Sequence, residues 1–128
     1  QACYRGPRLF DTDATKTMVK SNVDWFKKYR DILESDMVHG RRADGRDIDW
    51  MLHVNPQLKH KGMLVVFNPL KKPVTRTIKP NLYYIGLTDT AKISHENKQP
   101  EIATLARNYT IQIEVQMKPQ SFTWFVIE

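Results

Sequence analysis

Three aspartates, Asp44, Asp47 and Asp49, alternate with three arginines, Arg41, Arg42 and Arg46, in the densest charged segment of the chain. Two carboxylates held a fixed distance apart can act as acid and base on a glycosidic bond. Guanidinium groups offer planar forks to a carboxylate on a partner surface. A plainer reading outweighs both. Asp44–Gly45 is a common turn dipeptide, and alternating charges suit an exposed hairpin loop. The segment also lacks the glycine position and closing glutamate of a helical calcium loop. No catalytic residue is assigned from it. Arg41, Arg42, Asp44, Arg46 and Asp47 stand as candidates for contact with a neighbouring domain.

Other reactive side chains are scattered. His39, His53, His60 and His95 fall into neither His-x-His nor His-x-x-x-His spacing, so no metal and no cofactor is expected. Gly6, Gly40, Gly45, Gly62 and Gly86 are isolated and form no phosphate-binding loop. Ser21, Ser35, Ser94 and Ser121 lie in no recognisable nucleophile context. The single cysteine, Cys3, leaves no internal disulfide and no cysteine-rich zinc site. The triplet Asn108–Tyr109–Thr110 matches a glycosylation acceptor, but such triplets are common by chance and it carries no weight.

Aromatic side chains offer a different chemistry, because the C–H faces of sugar rings stack on flat surfaces. Trp50, Tyr83, Tyr84 and Trp124 are the candidates for carbohydrate stacking, and a coplanar exposed pair among them would mark a binding module. Within a strand, neighbouring side chains point to opposite faces, so one of Tyr83 and Tyr84 must face outward or into a second layer. The plainer reading places these aromatics, with Trp25 and Phe26, in the core or against another domain.

The elements that must position these residues fall into two parts. From Ala14 to Glu34, Val19, Val23, Phe26, Ile32 and Leu33 recur near helical spacing, preceded by candidate caps Asp11, Thr12 and Asp13. Asp24–Lys28 and Lys27–Asp31 are expected i,i+4 pairs, worth a few tenths of a kcal/mol, roughly, apiece. A lone helix of this length is marginal in water. It must dock on the domain C-terminal to it or on a neighbour upstream, and an uncovered helix would promote self-association. From about Val38 the period becomes two: Ile48–His53, Met63–Phe67, Val74–Lys79, Leu82–Ile85, Tyr109–Met117 and Phe122–Ile127 read as strands. Asp44–Gly45, Asn55–Pro56, Asn68–Pro69 and Lys118–Pro119 punctuate them. Five to seven short strands with no second helical stretch predict a mainly β protein, an antiparallel β-sandwich preceded by one amphipathic α-helix. The division expected is an N-terminal segment, residues 1–35, and a sandwich domain, residues 36–128.

With 128 residues, 41% hydrophobic and 27% charged, the chain is too apolar for a disordered tail. Its longest unbroken apolar run, Met63–Phe67, is too short to span a membrane as a helix. Lys and Arg outnumber Asp and Glu by 20 to 14, but the excess is thinly spread, and no basic stripe or nucleic-acid module appears.

Several segments resemble the C-terminal β-sandwich domain of bacterial α-galactosidase-like glycoside hydrolases, whose catalytic domain is a (β/α)₈ barrel. They are Asp31–Ser35, His39–Asp47, Leu52–Pro56, Val66–Leu70, Leu82–Ala91 and Trp124–Glu128. The resemblance runs from about Val23 to Glu128; Asn68-Pro69-Leu70 and Leu82-Tyr83-Tyr84-Ile85-Gly86-Leu87 carry most of it. Ala43 departs from the pattern, where proline is more usual. The resemblance implies a non-catalytic accessory domain whose partner is the barrel of the same parent chain, with residues 1–35 as the last helical part of that barrel. It also implies a secreted or periplasmic parent hydrolase of carbohydrate metabolism. Since the catalytic carboxylates of such enzymes stand on the barrel, none is carried over. A carbohydrate-binding module and a protein–protein scaffold remain the alternative roles.

Overall fold

A computed structural model describes residues 11–128, so Cys3 and Gly6 lie outside the described residues. Helix α1 spans Asp13–Lys28. Thr12, in extended conformation, caps it, its hydroxyl accepting from the Thr15 amide at 3.1 Å. Asp13 at the start and Lys27 and Lys28 at the end oppose the partial charges of the helix termini. The i,i+4 ion pairs of the helical segment include Lys20–Asp24 at 2.6 Å and Arg30–Glu34 at 3.1 Å, rather than the expected Asp24–Lys28 and Lys27–Asp31. Lys28 instead donates to Asn97 Oδ1 at 3.0 Å and lies over the Tyr29 ring.

The single helix expected over 14–34 is broken at Tyr29 (φ −113°, ψ 15°), and a short helix, α2, occupies Arg30–Leu33. The break sets Tyr29 and Ile32 down onto the sheet, where both are buried.

Eight strands come after the helices: β1 Asp36–His39, β2 Asp49–Val54, β3 Gly62–Asn68, β4 Val74–Ile78, β5 Thr90–His95, β6 Glu101–Thr104, β7 Ile113–Met117 and β8 Ser121–Ile127. Six form one antiparallel sheet in the order β1-β2-β3-β8-β5-β6; β4 and β7 pair as a second, two-stranded sheet. Between the sheets lies the main core, with Leu52, Leu64, Val66 and Ile127 from the large sheet and Val74, Ile78, Val115 and Met117 from the small one. A second core lies on the outer face of the large sheet, where Tyr29 and Ile32 pack on Met63, Val65 and Val126. Strand β3 is therefore apolar on both faces because it is covered on both, by the small sheet's layer and by the helices. The molecule is a β-sandwich preceded by a helical segment, as the periodicity indicates.

Two expected strands are corrected. Leu82–Ile85 is not extended: Tyr83–Ile85 is a 3₁₀ turn closed by Gly86 at φ 75°. The run from Tyr109 is extended as a strand only from Ile113. Tyr109 adopts φ 62° in a turn, its amide bonded to the Ala106 carbonyl at 2.8 Å. Strands β1, β5 and β6 have no counterpart among the expected strands; the inward positions of β5 and β6 include only Ala91, Ile93 and Ala103 as core contacts, and Ile102 is 79% exposed.

Candidate functional surfaces

In the charged loop between β1 and β2, one ion pair is internal and one reaches β4. Arg41 holds Asp44 at 2.8 Å through Nη2 and the Ile48 carbonyl at 3.2 Å through Nη1. Asp44 also accepts from the Arg46 amide at 3.0 Å, as in a turn closed by its own side chain. Asp47 accepts from the Ile48 amide at 2.8 Å and from Arg76 Nε on β4 at 3.2 Å. The amide of Arg46, with the Arg41 guanidinium, holds the Asp44 carboxyl below the usual carboxylate range. The amide of Ile48, with Arg76, does the same for Asp47. A general acid needs the opposite shift. Neither carboxyl is tuned to donate a proton at neutral pH. Arg42 and Arg46 are exposed, and their guanidinium groups meet no partner among the described residues.

The four candidate stacking residues do not converge. Trp50 is half-buried against the main core, its indole lying under Gly40. Trp124 is half-buried on the outer face, edge-on to Trp25 at 5.4 Å. Tyr83 and Tyr84 are 60% and 58% exposed, but on the 3₁₀ turn they are not held to alternate faces. Their rings meet edge to face, 5.8 Å apart at 80°, and Tyr83 leans on Tyr109 at 5.3 Å. An edge-to-face pair is not a flat platform for a sugar ring.

The outer face presents a continuous aromatic strip that sequence reading does not assemble. Trp25 touches Tyr29, Phe122 and Trp124, and Phe122 touches Phe67. The register explains the strip: Phe67 pairs with Phe122 and Val65 with Trp124 across β3 and β8. The indole nitrogens of Trp25 and Trp124 are buried without a hydrogen-bond partner among the described residues. Beside the strip, Met18, Val23 and Phe26 of α1 stay exposed, as does Met37 on β1. No residue of α1 is fully buried. Helix α1 is thus anchored at one end, by Trp25, and carries an apolar stripe that nothing among the described residues covers.

Among the described residues, no group of three or more His, Cys, Asp or Glu side chains is placed to hold a metal ion. No helix among them is long and apolar enough to cross a membrane. No family model matches the chain, and no curated protein matches it. Among solved structures, a candidate α-N-acetylgalactosaminidase from Bacillus halodurans is distantly similar over 72% of this chain, at 16% identity and a TM-score of 0.44. This chain spans 20% of that protein's length.

Proposed function

We propose that this chain is a non-catalytic supporting domain of an exported glycoside hydrolase, packing through α1 and the outer aromatic strip against the catalytic barrel of its parent chain. The observation that carries the reading is the helix itself. Met18, Val23 and Phe26 are 58%, 41% and 40% exposed on a well-capped, 16-residue helix. Contiguous exposed apolar surface of this kind marks an interaction site. The resemblance of residues 23–128 to the accessory domains of barrel hydrolases names the occupant. The charge loop supports a structural role as well, since Asp44 and Asp47 are tied to arginines and amides rather than poised as an acid–base pair.

Two measurements on the isolated chain test this. It releases no product from a panel of aryl glycosides, and it self-associates with rising concentration in sedimentation equilibrium. The double substitution M18D/F26D weakens that association by at least tenfold while leaving the amide spectrum dispersed. Turnover that survives repurification, or a wild-type chain that stays monomeric at millimolar concentration, would overturn the proposal.

A further inference from the structure

Between the β5–β6 hairpin and β7 lies a cleft of about 320 Å³, on the inner side of the large sheet and away from α1. Its lining includes His95, Phe125, Lys98, Glu101, Gln112 and Glu114. The His95 ring stacks flat on Phe125, with centroids 4.5 Å apart and planes at 16°. Behind it runs a chain of polar contacts: His95 Nε2 lies 2.8 Å from the Thr123 hydroxyl, which donates to Glu96 Oε1 at 2.8 Å.

This chain fixes the proton on the histidine. An ionised carboxylate only accepts, so the Thr123 proton is committed to Glu96. The hydroxyl oxygen can then only accept from His95, which carries a proton on Nε2; in the neutral ring, favoured by burial, Nδ1 keeps its lone pair. His95 lines the cleft, and among the described residues its ring hydrogen-bonds only through Nε2. Thr123 is a buried polar residue, 7% exposed. Glu96 holds a left-handed backbone (φ 55°), uncommon for a side chain of its size, with its amide on the Trp124 carbonyl at 3.0 Å. A polar network at a core position and an uncommon backbone at the turn both serve one result, an oriented imidazole facing a cleft.

We propose that the cleft binds one neutral polyhydroxylated ring of monosaccharide size, with His95 Nδ1 accepting a hydroxyl proton and Lys98, Gln112, Glu101 and Glu114 completing the hydrogen bonds. The rim mixes one cation, two carboxylates and two amides, Gln99 and Gln112, beside apolar Ile93, Ile113 and Phe125. Glu114 Oε1 already accepts from Gln116 at 3.0 Å. This mixture suits a guest with polar edges and C–H faces and disfavours a multiply charged anion. The volume sits at the low end of the range for small-ligand sites, roughly 300–1,000 Å³, which suits a single ring. The site does not depend on the supporting role proposed above, because docking through the outer face leaves the inner cleft open.

The test is a titration of the labelled chain with galactose, glucose, xylose, mannose and inositol, followed through histidine ring and glutamine side-chain signals. The expected result is saturable movement of the His95 ring and the Gln112 amide with at least one of them, and a long-range nitrogen spectrum showing the Nε2–H tautomer. H95F keeps the stacked ring but removes the acceptor, and is expected to weaken binding at least tenfold. E101Q/E114Q alters only exposed rim residues and gives an independent reading, also a loss of several-fold, should H95F not fold. The proposal fails if no ring sugar moves these signals, or if the shifts persist unchanged in both variants.

Discussion

Gly40 has no side chain, and the Trp50 indole occupies the space where one would be. An ideal Cβ there would sit 2.0 Å from Trp50 Cε2. Gly40→Ala is therefore expected to push the indole out of its site and destabilise the fold by about 1–3 kcal/mol, the usual cost of overpacking; urea unfolding measures it. This contact also explains why Trp50, legible as an aromatic in an alternating strand, could not be assigned inside or outside from its own neighbours. The residue that fixes it lies ten positions upstream, across the β1–β2 connection. His53 gives a second case. It pairs with Met63 and Met37 on the outer face, and burial holds its imidazole below the ordinary histidine range. Because the folded value is lowered, the unfolded chain binds the proton first as pH falls. Stability is then highest above the ordinary histidine pKa of about 6.5 and declines as pH drops from there toward the folded value. The urea midpoint is expected to fall between about pH 7.5 and 5.5, with a shallower slope in H53L. A slope identical in the two proteins would remove His53 from the account.

Helix α1 owes its start to Thr12 and its attachment to Trp25. Thr12→Ala is expected to cost about 0.5–1 kcal/mol through the lost cap, seen as faster amide exchange in the first turn. Trp25→Ala acts differently: it removes the one large side chain of α1 that packs on Phe122 and Trp124. Loss of helical signal from residues 13–28, with strand amides still protected, is the expected outcome in hydrogen exchange. The cap and the amphipathic period were legible because both are local. The break at Tyr29 was not, since it comes from seating Tyr29 and Ile32 on Met63, Val65 and Val126, contacts more than thirty residues away in sequence. The strands divide the same way. β3 and β8 are dense in apolar residues and plain to read, whereas β5 depends on pairing with β8, and β6 on pairing with β5, to become a sheet edge. Leu82–Ile85 has strand-like composition, but Pro80 and Gly86 bracket it and the Asn81 side chain caps the Tyr83 amide at 2.9 Å, closing a turn instead.

Taken as one body, the protein has two unlike faces on its large sheet. The inner one packs against the small sheet and the loop residues Leu82, Ile85 and Leu105; the outer one is partly covered, by Trp25, Tyr29 and Ile32. A mainly β architecture and its leading helix were legible because period two and period 3.6 survive in the sequence. The candidate surfaces were not, because each is assembled across elements distant in sequence: the aromatic strip from Trp25, Phe67, Phe122 and Trp124, and the cleft from β5, β6 and β7. Of the candidates that stood close together in sequence, Arg41 and Asp44 pair within their own loop, Asp47 pairs with Arg76 on β4, and Tyr83 and Tyr84 meet edge-on. The central claim is that the exposed stripe of Met18, Val23 and Phe26 belongs against a catalytic barrel in the same polypeptide. The most direct test is to read the native coding sequence in frame upstream of Gln1. Codons for a (β/α)₈ barrel with two carboxylates at its strand ends, leading without interruption into α1, are the expected result. A start codon or a signal peptide immediately ahead of this domain would contradict it.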